Sequence, residues 1–221
     1  MSLSGSTTAR PSVIYDALRA AILSQSQRPG QAVTESAVAL AFGVSRPTAK
    51  IAIEQLVADG LLHREPNAAA RVPTLGPDDI RDVFDNRAIV ESAVSAALAR
   101  TGAVPPAAVA AQRELLRHPG DFAPFDIAFH RALGAGQPSP RLARLHALLM
   151  GEVELGIGQV HAHHLLDAAT VAAQHQGILD AIIAGDPALA ARLTRDHIDG
   201  ARDALLIHLT PSHDSTAHGD D

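Results

Sequence analysis

Apolar residues recur at helical spacing through most of the chain, and the interruptions divide it. Over residues 11–26, Ile14, Ala17, Leu18, Ala21 and Ile22 fall on one face of a helix, which Arg28-Pro29-Gly30 ends. Residues 33–62 read as two short helices around a tight turn. Thr34 is placed to cap the first, whose apolar side runs through Ala37, Val38, Leu40 and Ala41. Gly43 stands where a helix closes in a left-handed residue. Ser45 is placed to cap the second helix, with Pro47 in its first turn, where no backbone donor is lost. Ala49, Ala52, Ile53, Leu56 and Val57 then keep core spacing until Asp59-Gly60. Two helices joined by a short glycine turn make a helix-turn-helix, whose second helix enters the major groove of DNA. The following LLHRE (61–65), PNAAA and RVP (71–73) fit a short β-hairpin, the wing of a winged helix.

The exposed end of the second helix is cationic. Arg46 and Lys50 lie four apart with Thr48 between them, and Lys50 is the only lysine in the chain. Arginine reads guanine edges or holds phosphate, and threonine reaches base or backbone. The alternative is a buried helical hairpin whose Arg46 and Lys50 are merely solvated.

Beyond Pro73, the Pro and Gly at 76–77 mark a boundary, with a linker over 74–77, and the remainder reads as helix alone. Pro77-Asp78-Asp79 opens a helix to about Arg100. A second covers about 105–117, a third runs from about Pro124 to Leu133, and Gly134 to Pro140 reads as a loop. The long segment 140–163 carries Gly151, Gly156 and Gly158, where a kink or break is expected. Helices over 168–184 and 187–209 complete the set. The fold class is mainly α, an N-terminal winged helix-turn-helix (11–73) followed by an all-helical bundle (78–209), with polar tails at 1–10 and 210–221 read as disordered and flexible.

Composition changes this picture in two ways. With no cysteine, no basic-then-apolar N-terminal signal and no 18-residue apolar run, disulfides and thiolate metal sites drop out and a cytoplasmic protein without a membrane partner is expected. The net charge of −6 argues at first against a nucleic-acid partner. Residues 1–75, however, hold seven basic and five acidic residues, leaving +2 on the head and −8 on the rest. That split suits a regulator that touches double-stranded DNA with one end.

Candidate chemistry in the bundle lies on otherwise apolar helix faces. Arg87 and Glu91 share the stripe of Ile80, Phe84, Ala88, Val94 and Leu98, where an unpaired charge is costly. Either they pair with each other or a neighbouring helix, or Arg87 clamps an anionic ligand. Of twelve histidines, His63 belongs to the wing, His213 and His218 to the tail, and His118, His146 and His208 show no titratable partner. The HAHH at 161–164 reads as a cationic helix end. Asp126 and His130 are i and i+4 on one face, and His175 and His197 also sit mid-helix among core residues. On spacing alone these are either satisfied core histidines or ligands of a divalent metal in the bundle interior.

The head resembles the GntR family of bacterial transcriptional regulators. The resemblance rests on Gly30, Val33 and Glu35, on Phe42-Gly43-Val44-Ser45-Arg46, and on Leu56 with Gly60-Leu61-Leu62. Family members commonly read S-R-T-P-V-R-E-A-L, whereas residues 45–53 are SRPTAKIAI; Ser36 replaces a common basic residue, and the wing-tip glycine is absent, with Ala69 near its place, where a positive φ is costly. The bundle is similar to the FCD ligand-binding domain. It shares Arg87 and Glu91, then Asp126, Phe129 and His130, then His175, Ile178, Ala181, Ile182, Gly185, Asp186 and Ala190, then His197, but has Gln137-Pro138-Ser139 where an asparagine is common. The resemblance implies a bundle of six to seven helices that holds a divalent metal through Asp126, His130, His175 and His197. Zinc comes first, with nickel, manganese and iron as alternatives. It further implies a small carboxylate effector with Arg87 as a second anchor. The DNA contacts would fall on Ser45, Arg46, Thr48 and Lys50 of the second helix, with Glu35 before it and Arg71 in the wing. The expected protein is a homodimeric, ligand-responsive repressor on a palindromic operator, not an enzyme; the rivals are a metal sensor and a helical-bundle metalloenzyme.

Overall fold

A computed structural model describes residues 10–159 and 166–209. The head comprises α1 (Pro11–Leu23), β1 (Ala32–Val33), α2 (Glu35–Phe42), α3 (Arg46–Ala58) and β2 (Ala70–Arg71). The body comprises α4 (Pro77–Ala99), α5 (Pro106–Arg117), a 3₁₀ turn (Pro119–Asp121), α6 (Ala123–Gly136), α7 (Pro140–Gln159), α8 (Ala168–Ile183) and α9 (Pro187–Leu209). The fold is mainly α, as the periodicity predicts.

The punctuation of the helix-turn-helix acts as its chemistry dictates. Thr34 accepts from the Ala37 amide at 3.2 Å, and Gly43 closes α2 at φ 62°. Ser45 accepts from the Thr48 amide at 3.3 Å and exchanges a 2.8 Å hydroxyl bond with Thr48. A side-chain cap of this kind stabilises its helix by about 1 kcal/mol. Ile14, Leu18, Ile22, Val38, Ala52, Ile53 and Leu56 close the head's core.

The wing differs from the expected hairpin. β2 pairs antiparallel with β1, Ala32 opposite Arg71 and Val33 opposite Ala70, while only His63 of the expected first wing strand bridges to Arg71. The positive φ falls on Asn67, at 62°, rather than near Ala69. Asparagine tolerates that conformation where alanine does not, so the missing glycine is replaced two residues earlier.

One helix end and two glycine readings are also corrected. α1 ends at Leu23 rather than near residue 26, and α6 runs through Gly134 to Gly136 instead of ending at Leu133. α7 is continuous past Gly151, Gly156 and Gly158. In each case the glycine permits close packing rather than a break. A Cβ on Gly134 would collide with the His146 ring, one on Gly136 with Pro105, and one on Gly151 would sit 2.6 Å from the Asp59 carbonyl oxygen. The smooth back of α7 is therefore where the head rests, and Leu155 of α7 belongs to the head's core. Polar contacts pin the same junction. Arg19 of α1 pairs with Glu154, Gln25 donates to the Gly158 carbonyl, and Gln159 bonds Leu75 and Pro73 on the linker side. In the body α4 and α9 pair along their length, and α6 and α8 pack beside them. No helix among the described residues is long and apolar enough to cross a membrane.

Candidate metal centre and nucleic-acid interface

On α3 the residues at 46, 47, 50, 51, 54 and 55 are exposed and form one face. Arg46 makes no hydrogen bond or ion pair among the described residues, and Lys50 reaches only Glu54, at 3.5 Å on the surface. Both charges are thus free to meet a polyanion. Ile51, which the sequence reading passed over, shares this face and is 54% exposed. The remaining four expected contacts are partly committed. Ser45 and Thr48 are the cap described above. Glu35 lies 3.9 Å from Arg64, and Arg71 donates to the Gly30 carbonyl at 2.9 Å while staying exposed.

In the body, α6, α8 and α9 bring Asp126, His130, His175 and His197 together: one ligand atom from each lies within 4.8 Å of all the others. Asp126 Oδ1 stands 3.2 Å from His175 Nε2, 3.7 Å from His130 Nε2 and 3.9 Å from His197 Nε2. The three rings are buried, and the Asp126 side chain is 14% exposed.

What fixes the rings is the opposite nitrogen. His130 Nδ1 lies 2.5 Å from Glu91 Oε2, His175 Nδ1 3.1 Å from Gln112 Oε1 and His197 Nδ1 2.8 Å from Gln174 Oε1. Gln112 cannot turn its amide round, because its nitrogen donates to the Ala172 carbonyl at 2.7 Å. His130 Nδ1 and His175 Nδ1 therefore donate outward, and the Nε2 atoms of all three rings face inward, where His130 Nε2 stands 3.1 Å from His197 Nε2. Phe129 stacks on His175 at 3.8 Å and holds its plane.

The electrostatics agree. Burial pushes the Asp126 carboxyl up, but the adjacent His130 and His175 rings outweigh it and hold the group well below the usual carboxylate range. Glu91 is likewise opposed by burial and held low by Arg87 and His130. Burial lowers His175 and, with the neighbouring rings, lowers His197 further, so both stay neutral. For His130 the Glu91 charge overcomes burial and raises it. Asp126 Oδ1 and His175 Nε2 are left buried without a hydrogen-bond partner. Satisfied core histidines would not leave such acceptors facing one another, and a cation between them removes the cost.

Arg87 and Glu91 do pair, Nε to Oε1 at 2.9 Å, and both are buried. Arg87 nevertheless keeps Nη2 without an acceptor, and it lines a cavity of about 40 Å³ that Asp126 and His197 also face. His146, which shows no partner in sequence, lies 3.4 Å from Glu91 Oε1. Glu91, Gln112, Gln174 and His146 thus orient the cluster, and spacing could point to Glu91 alone. The HAHH segment lies outside the described residues.

Comparison with known proteins gives a consistent result. The profile of the FCD domain matches residues 82–200, and that of the bacterial regulatory proteins of the gntR family matches residues 11–72. A relative from Streptomyces ambofaciens, described as an uncharacterized HTH-type transcriptional regulator in an unstable DNA locus, is 29% identical over 203 residues, covering 87% of this chain and 83% of its own. Among solved structures, a GntR transcriptional regulator from Rhodococcus sp. RHA1 superposes with a TM-score of 0.74 at 24% identity, covering 89% of this chain and 97% of that one. McbR/YncC of E. coli superposes at 0.68 with 18% identity, covering 90% and 98%. The matched family, the Streptomyces relative and the Rhodococcus protein are transcriptional regulators, not enzymes.

Proposed function

The chain belongs to the FCD-domain regulators of the gntR family and is a DNA-binding transcriptional regulator; from that premise we propose that its body holds a divalent metal and a small carboxylate effector, and that the pair controls how its heads engage an operator. The observation that carries this reading is the set of three inward-facing Nε2 atoms whose outward nitrogens are each tied to an acceptor. Asp126, His130, His175 and His197 would hold the metal, and imidazole with carboxylate suits zinc first, with nickel, manganese or iron as alternatives. The metal supplies a fixed positive charge with room for an anionic ligand. Everything else is done by the chain.

Arg87 offers the free Nη2 as a second anchor for the anion. α6 carries Asp126 and His130 and, one residue on, Arg131, whose Nε donates to Glu154 at 3.1 Å; Glu154 also pairs with Arg19 of α1. A displacement of α6 on ligand binding reaches the head through these two ion pairs. Effector binding then shifts operator affinity by its differential affinity for the two arrangements, typically about 1–3 kcal/mol. On DNA, Arg46 and Lys50 lead, Ser45 and Thr48 hold the helix start that presents them, Arg71 supports them from the wing, and Glu35 orients Arg64. Two heads about a two-fold axis, in a cytoplasmic homodimeric repressor, would meet the half-sites of a palindrome.

The test is operator affinity of chelator-treated protein, the same protein restored with zinc, and restored protein with acetate. Regulation by effector predicts that acetate changes affinity only when metal is present. A response to metal alone would make the ion the signal, and no response to either would refute the regulatory reading.

A further inference from the structure

The cavity beside the cluster is lined by two unlike sets of side chains. Arg87, Asp126 and His197 are polar, while Phe84, Phe122, Ile157, Leu166, Ala204 and Leu205 bring no side-chain hydrogen-bonding group. Around the cluster the formal charges are Arg87 (+1), its partner Glu91 (−1) and Asp126 (−1), so the set is −1 with the imidazoles uncharged, as metal ligands are. A divalent cation makes it +1, and a single negative charge makes it neutral. A second carboxylate would be left uncompensated in a buried site, at a cost several times that of an unmade hydrogen bond. Hydroxyl groups on a ligand's tail would lose water with no side-chain partner among the described apolar lining residues.

We propose that the effector is a small monocarboxylate with an apolar tail, its carboxylate at the metal and Arg87 Nη2, its tail against Phe84, Phe122 and Leu205. The inference rests on the metal-and-carboxylate reading above and narrows it by excluding dicarboxylates and polyhydroxy acids. The guanidinium carbon of Arg87 already stands 5.4 Å from the Phe84 ring centroid, so its stem and that ring form one wall. The small volume favours short or branched tails over long chains.

The experiment is calorimetric titration of full-length protein with its metal content fixed by elemental analysis. The four-carbon probes are butyrate, 3-hydroxybutyrate and succinate, followed by isovalerate and gluconate. Butyrate should bind on the order of tenfold or more tighter than 3-hydroxybutyrate or succinate. Isovalerate should exceed butyrate by roughly fourfold for its added buried carbon. Tighter binding of succinate or gluconate would overturn the apolar-tail inference and leave the metal-and-carboxylate reading standing. Binding of none of them to metal-loaded protein would overturn both. A wall variant isolates the tail contact: Ala204→Asn, at a half-buried lining position, should weaken butyrate at least fivefold while 3-hydroxybutyrate changes less than twofold. Equal loss for both ligands would refute the assignment of that wall to the tail.

Discussion

The two functional regions are built by opposite routes. The recognition helix owes its shape to neighbours in sequence: Ser45 caps α3, Pro47 fits its first turn, and Arg46 and Lys50 stand exposed because the helix period puts them opposite Ala49, Ala52 and Ile53. The metal cluster owes its shape to packing at a distance. Its four candidate ligands come from α6, α8 and α9, and the groups that orient them come from α4, α5 and α8. The head should therefore tolerate changes in the body that empty the cluster, while the cluster should respond to substitutions far from any ligand.

The largest effect expected is from Asp126→Ala combined with His175→Ala. Removing the carboxylate and one imidazole should reduce metal in desalted protein from stoichiometric to none by elemental analysis, with α-helical circular dichroism preserved. Undiminished metal would break the assignment of the body. Next is Gln112→Leu, which touches no candidate ligand atom but frees His175 to turn; metal affinity should fall about 10–100-fold, read by competition with a chelator. An unchanged affinity would mean that ring orientation there is set by Phe129 alone. In the head, Arg46→Ala should cost about 1–3 kcal/mol of operator affinity and leave metal content untouched. A joint loss of both would show that the regions are not separable.

A pH titration sharpens the comparison further. His175 and His197 are lowered by burial, whereas in the unfolded chain they titrate near ~6.5. Below that pH the unfolded state binds more protons, so their contribution is full above about 6.5 and declines as the pH falls. His130, raised by Glu91, works in the opposite sense: its contribution is present below about 6.5 and lost as pH rises through its folded value. Because His197 is lowered furthest and His175 works in the same sense, thermal unfolding of metal-free protein should move to lower temperature between pH 7 and 5.5. A flat or rising midpoint would contradict neutral His175 and His197. The smallest effect belongs to Glu154→Gln, which weakens the bridge between Arg19 and Arg131. Operator affinity without effector should change severalfold at most, while the effector-dependent shift should shrink.

How much of this was legible in sequence follows from the same division. Caps, turns and the α3 face are local, so Thr34, Gly43, Ser45 and Arg46 could be read from spacing. The wing could not, since β2 pairs with β1 from before the helix-turn-helix rather than with its neighbour. Gly134 looked like a helix end because glycine weakens helices, but its role is to admit the His146 ring, a partner on another element. In the body, Asp126 and His130 were visible as an i,i+4 pair, and joining them to His175 and His197 took the family resemblance. Gln112 and Gln174 gave no sign at all, because an orienting glutamine is recognisable only once the ring it holds is in place.

The central claim is that one metal ion sits among three imidazoles and a carboxylate inside the body. Anomalous diffraction from crystals of the purified protein, collected on both sides of the absorption edge of the metal found by elemental analysis, tests it directly. The account predicts one strong peak per chain, bonded to Nε2 of His130, His175 and His197 and to Oδ1 of Asp126. A peak on other residues, or none in protein that carries stoichiometric metal, would contradict it.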